Sequence, residues 1–372
     1  MNMRKTIFLA GALVAVFASC TKTVVEEPQK EILFQVANHS VATKADPADY
    51  KDNYKDVPFG TFAWYKGSNP ADNKLMIENQ SVSYDEPKNR WAPTGTTYYW
   101  PKGGTLDFIS YSPYTVDGLD APAPVITEEG ISYPSWNVAI HQNVDVMYSD
   151  KVTGLTGNVN TYNHGYEGVP TLFRHALAKI AFRIKAVYLN RTAEAGDITR
   201  WEVDVNSITL NNILSTGKLT LTLGEDGKWV KPENNVWDPE EEKVSIPQSL
   251  DEMLPLTEEL HLLGNPILVL PQELVDQTVT INVTIRTYRD LGDGNGEKLV
   301  LRESGVDVTA SLYSKEIESW GINQFIIYEI GFNPAAVGHH GGGDPTDEPS
   351  VIDFDPAVED WDYIDGDLAI PV

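Results

Sequence analysis

The amino-acid sequence predicts an all-β fold, built as sandwiches, on three observations. Apolar residues recur at every second position in one segment after another, the mark of half-buried strands. Gly and Pro number 28 and 23 in 372 residues, which supplies turns between many short strands. Long helical patterns are scarce, so no helical layer is expected.

The folded part is expected to begin at Glu31, where Ile32, Phe34 and Val36 share one strand face. In residues 59–65, Thr61, Ala63 and Tyr65 alternate with Phe62 and Trp64. The stretch 154–168 is rich in Gly, Asn and Tyr and lacks alternation. A domain boundary is placed near its end, giving an N-terminal sandwich over 31–167 and a C-terminal one over 168–372. In 177–187, Ile180, Phe182 and Ile184 point one way, and Lys179, Arg183 and Lys185 the other. Leu219, Leu221 and Leu223 alternate with Thr220 and Thr222. Residues 249–263 have room for one short helix, which Pro255 interrupts. Val279, Ile281, Val283 and Ile285 mark the next strand, and 290–297 read as a hairpin turn to 298–302. Residues 322–332 form another strand, and the Gly- and His-containing run 338–345 separates it from the last one.

The leader is equally legible. Arg4 and Lys5 precede an apolar stretch from Ile7 to Ala18, which ends in Phe17-Ala18-Ser19-Cys20. A basic start, a short apolar core and small residues make a secretory signal over 1–19. The stretch is short for a membrane span, which takes about 20 residues. A cysteine just after small residues resembles the lipobox of a bacterial lipoprotein, with Phe17 where that motif usually has Leu. The resemblance implies acylation (palmitate-type chains) of Cys20, the chain's one cysteine, and an outer-membrane, cell-surface location. The other reading is a plain signal that ends near a Cys. Acyl chains add roughly 0.8 kcal/mol per buried methylene. Residues 20–30, with Glu26, Glu27 and Pro28, read as a tether. Loss of 1–19 moves the formal charge from -26 to -28, which repels nucleic acid and anionic membrane.

Several segments together resemble the fimbrillin family of Bacteroidetes, the subunits of type V pili. They are the lipobox-like start, FQVANHSVATKAD, YYWPKGGTLDFISYSP, FRHALAKIAFRIKA, PILVLPQ and FDPAVEDW, in that order along the chain. The resemblance implies two tandem transthyretin-like β-sandwich domains and a non-enzymatic fimbrial subunit that mediates adhesion. It further implies that a trypsin-like protease cuts after a basic residue in an N-terminal loop and frees the first strand. A C-terminal strand of another subunit then fills the vacated groove.

Two local features match that chemistry. Lys44, followed by Ala45, lies in the turn-prone segment Ser40–Pro47 after the first strand, where an exposed basic residue is a good protease target. Its other reading is an ordinary surface lysine, and family sites more often carry Arg. In 362–372, Ile364, Leu368, Ile370 and Val372 fall on one parity, while Asp365 and Asp367 fall on the other. Such a strand docks either on its own domain or on a neighbouring subunit by strand addition. The displaced segment, with Ile32, Phe34 and Val36, has a similar alternation, so both suit one groove. Expected partners are therefore other fimbrial subunits, the processing protease, the outer membrane through the lipid, and a host or bacterial surface receptor.

Other motifs carry less. The adjacent His339 and His340 read as linker, and His175 as a structural strand residue. No HExxH, cysteine pair, GxSxG, P-loop or dinucleotide fingerprint occurs, so no catalytic residue, metal or cofactor is expected. Asp290–Glu297 partly matches a calcium loop but lacks its spacing. Trp91, Tyr98, Tyr99 and Trp100 are either core residues or sugar-stacking rings. The second of these sustains an alternative function, a surface glycan-binding lipoprotein of a polysaccharide-uptake system.

Overall fold

The computed structural model describes residues 29–37, 53–115, 123–142, 144–158, 168–193, 196–224, 237–240, 242–248, 250 and 252–336, with the backbone of 352–360. The first strands are β1 (Phe34–Ala37), β2 (Phe59–Lys66), β3 (Lys74–Asp85), β4 (Arg90–Pro93) and β5 (Thr105–Ser112). Then come β6 (Val125–Thr127), β7 (Gly130–Asn137), β8 (Met147–Ser149), β9 (Val152–Leu155) and β10 (Val169–His175). The next are β11 (Ala178–Ala186), β12 (Asn190–Thr192), β13 (Ile198–Leu214), β14 (Thr216–Thr222), β15 (Trp237–Pro239) and β16 (Lys243–Gln248). Short strands β17 (Leu254–Pro255), β18 (His261–Leu262), β19 (Ile267–Val269) and β20 (Gln272–Glu273) follow. The last are β21 (Thr278–Asp290), β22 (Lys298–Ser311), β23 (Ser319–Trp320), β24 (Gln324–Phe332) and β25 (Ile352–Asp360). The fold is all-β, as the alternation predicts.

The N-terminal sheet differs from a two-sheet sandwich. Its strand order is β2-β3-β4-β1-β10-β8-β5, and β5 pairs again with β2, so seven strands close into a barrel with β9 attached to β5. The closure follows from β2, which bonds along both edges: Thr61 stands opposite Gln80 on β3 and opposite Ser110 on β5. Both faces of β2 are also covered. Phe59 and Ala63 point into the barrel core with Ile77, Leu106 and Phe108. Phe62 and Trp64 join a second core with Ile131, Tyr133, Leu219 and Leu221. Double burial explains why this strand reads as a nearly continuous apolar run.

That second core lies under the sheet β15-β14-β7-β6, where β14 pairs with β7. Strand β10, although it follows the Gly-, Asn- and Tyr-rich stretch where a domain boundary is expected, sits inside the barrel between β1 and β8. The chain leaves the barrel through Ala176, Leu177 and Ala178, all fully buried.

Beyond them, β11 pairs in parallel with β24, and β24 in turn with β25. The other large sheet runs β12-β13-β21-β22, with the β21–β22 hairpin at the predicted turn. Val279, Ile281, Val283 and Ile285 face the core, as the alternation requires. Two expectations are corrected. Within 249–263 the described residues carry β17 and β18 rather than a helix. Pro255 cannot donate to a helical ladder, whereas β13 and β11 offer strand partners there. Lys179, expected to face outward, is 5% exposed, with its Nζ 4.7 Å from the centre of the Phe325 ring. Among the described residues no helix is long and apolar enough to cross a membrane.

Candidate functional site

The first strand is a stave of a closed barrel. β1 pairs in parallel with β10, from Phe34 opposite Val169 to Ala37 opposite Leu172. On its other side it touches β4 at one position, Phe34 opposite Trp91. Just before it the backbone is latched: Ile32 N donates to Tyr98 O at 2.8 Å, and Trp100 N donates to Lys30 O at 2.9 Å. Val169 N donates to Leu33 O at 2.7 Å. The seam is thus short, and few backbone bonds hold it.

Side chains hold it more firmly. Ile32 and Phe34 are 1% and 0% exposed, and Val36 is half-buried against the same core. The Phe34 ring meets Phe59 edge-on, with centroids 5.5 Å apart. Phe59 also packs against Trp91 at 5.5 Å and Phe173 at 5.3 Å. Burial of Ile32 and Phe34 contributes a gross stabilisation of about 3–6 kcal/mol. At the mouth, Lys88 Nζ lies 2.9 Å from Glu31, and this hydrogen bond raises the Lys88 pKa. Both groups are exposed, so the pair adds little.

Gly168 fixes how closely β10 approaches. Its φ is +132°, and a Cβ there would lie 3.2 Å from Phe34 C and from Gln35 N. Only glycine takes this backbone without strain, and a Cβ there would crowd the β1 backbone.

Of the predicted site residues, Ile32, Phe34 and Val36 come together in this slot. Cys20, Lys44, Ala45, Ile364, Leu368, Ile370 and Val372 lie outside the described residues, as do His339 and His340. Lys44 belongs to the connection between β1 and a 3-10 turn at Asn53–Asp56. Of the residues that line the slot, Trp91 is singled out by the sequence, as a core or sugar-stacking ring, whereas Phe59 and Phe108 are not. Phe59 and Phe108 sit at alternating positions whose meaning depends on barrel closure, and β4 is four residues long, too short to show a period. The aromatic cluster divides: Trp91 and Trp100 are buried at 6% and 3%, while Tyr99 is 43% exposed. Trp91 and Trp100 are core residues and offer no open stacking platform for a sugar. Among the described residues, no three His, Cys, Asp or Glu side chains are grouped to hold a metal ion.

The family profile described as fimbrillin-like matches residues 43–310. Solved structures to which the chain is similar include a Bacteroides uniformis protein named "putative cell adhesion protein". It is 14% identical, with 89% of this chain and 98% of that one covered, at a TM-score of 0.47. A Bacteroides ovatus protein of the same name is 14% identical over 91% and 100%, at 0.43. A fimbrial protein from Bacteroides ovatus is 11% identical over 75% and 48%, at 0.29. No functionally curated protein matches the chain.

Proposed function

This chain belongs to the fimbrillin-like family, and from that premise we propose that it is a structural, non-enzymatic subunit of a bacterial fimbria at the cell surface. Its assembly chemistry is strand replacement. A trypsin-like protease cuts between Lys44 and Ala45, the first strand leaves, and a strand from another subunit takes its seat. The anchor before processing is acylated Cys20.

One observation carries the reading. β1 stands between β4 and β10 in a barrel that is otherwise continuous. Its removal leaves two strands with unpaired backbone groups beside an apolar slot, a state that costs free energy until another strand fills it. The slot selects alternation: it holds apolar side chains at Ile32, Phe34 and Val36 and lets Gln35 face outward. Ile364, Leu368, Ile370 and Val372 have the same parity and are the proposed fillers, with Gly366 between them. Burial of four aliphatic side chains gives a gross term of about 6–12 kcal/mol before ordering costs. Strand β25, by contrast, is docked on β24 of its own chain, which leaves the segment after Asp360 as the donor.

Deletion of residues 362–372 tests this. The expected result is a folded monomer that no longer polymerises after cleavage. Polymer that persists without those residues overturns the donor role.

A further inference from the structure

The hairpin strand β22 leaves an edge open. It is the terminal strand of its sheet, and among the described residues it pairs with β21 alone. It spans fourteen residues, a long edge for a protein that does not use it. Leu299, Val300 and Leu301 are 52%, 56% and 49% exposed in succession. Arg302 and Glu303 beside them make no ion pair among the described residues.

β21 serves as a ruler for this edge. Two extra residues interrupt β22: Val300, between the rungs of Leu301 and Leu299, and one of Ser304 and Gly305, both beside Thr284. Gly305 has φ +70°, the left-handed geometry that such a bulge uses. Counted in rungs from Thr284, Arg302 opposite Arg286 lies two away on one side. Asp307 opposite Asn282 lies two away on the other. Leu301 and Val308 lie three rungs away, and Leu299 and Thr309 four.

This spacing is self-complementary. An antiparallel copy placed about a two-fold axis through the Ser304–Gly305 bulge sets Arg302 against the other copy's Asp307, twice. It sets Leu301 against Val308, twice, on the opposite face. A two-fold axis normal to the sheet keeps each residue on its own face, so only such even registers are open. Shifting the axis by one rung either way leaves no ion pair. Shifting it by two sets Arg302 against Arg302 or Asp307 against Asp307. We propose that β22 joins a second copy of this chain edge to edge in that register, forming a continuous sheet across two subunits. The contact is lateral and distinct from the strand-replacement slot, since β22 and β1 lie in different sheets and it involves neither β1 nor the Lys44 bond.

The test is sedimentation velocity of the purified chain with its first strand uncut, across a concentration series. Wild type is expected to show a monomer–dimer equilibrium. Arg302→Glu and Asp307→Arg each weaken it at least tenfold, and the double variant R302E/D307R restores it to within about threefold. Thermal unfolding of each variant shows whether the fold is kept; an Arg302→Glu chain with unchanged melting temperature and unchanged dimerisation overturns the proposal. A wild-type chain that stays monomeric up to millimolar concentration overturns it as well, as does a double variant no better than the singles. None of these outcomes bears on polymer formation after cleavage, so failure here leaves strand replacement standing or falling by its own test.

Discussion

The ring of Phe34 stands perpendicular to that of Phe108, with centroids 5.8 Å apart and planes at 89°. The first strand is therefore keyed into the barrel by aromatic edges as well as by area. Phe34→Ala is expected to cost about 3–5 kcal/mol, measured by chemical denaturation. Val36→Ala, at a half-buried position, is expected to cost about 1 kcal/mol. Equal losses at the two positions would contradict the keyed geometry.

Gly168→Val tests the close approach of β10 to β1. The new side chain meets the Phe34 and Gln35 backbone and must adopt a positive φ. A loss of at least 2 kcal/mol is expected, with faster hydrogen exchange at Ile32 and Phe34 than elsewhere in the barrel. Exchange that rises uniformly would show a general rather than a local effect.

A buried relay in the C-terminal part gives a third prediction. Trp320 Nε1 donates to Tyr328 Oη at 3.0 Å, and Tyr328 Oη donates to Leu312 O at 3.0 Å. Trp320 and Tyr328 are both 1% exposed. Tyr328→Phe leaves an indole N–H and a carbonyl without that hydroxyl, at a cost of about 1–3 kcal/mol in urea unfolding. Near-neutral behaviour would mean that the two groups find other partners.

The outer face of the β13–β21 pair predicts an acid dependence. Hydrogen bonds from Arg200 and Arg286 hold the Glu202 carboxyl down at about 2, well below the ordinary carboxylate range. A depressed folded pKa gives stability that is present above the unfolded value, about 4.3, and lost as pH falls toward 2. The side chain is 38% exposed, so screening limits the effect to about 1 kcal/mol or less. Glu202→Gln should lower stability at pH 7, and the difference from wild type should shrink as pH falls through about 2. A difference that stays the same from pH 7 to below pH 2 would contradict the linkage.

The alternation carried much of the fold. Val279, Ile281, Val283 and Ile285 announce a strand with one buried face, and the 290–297 turn announces its hairpin. Barrel closure was hidden, because it depends on Thr61 meeting both Gln80 and Ser110, partners whose distance along the chain leaves no local trace. The same holds for the crossing of β14 onto β7. Lys179 misled because a charged residue normally marks the wet face, whereas its stem is buried here and its ammonium lies against Phe325. For the slot, alternation placed Ile32, Phe34 and Val36 on one face and the aromatic cluster offered Trp91 as core, but nothing local showed that they meet. The surrounding residues come from several strands, and each strand contributes a residue or two that reads as ordinary core.

The most direct test of the account is native mass spectrometry of the purified chain without residues 1–19, before and after trypsin. The account predicts one cut after Lys44, departure of the severed first-strand peptide, and a ladder of oligomers built from a core that starts at Ala45. A cut chain that keeps its first-strand peptide bound and stays monomeric would contradict it.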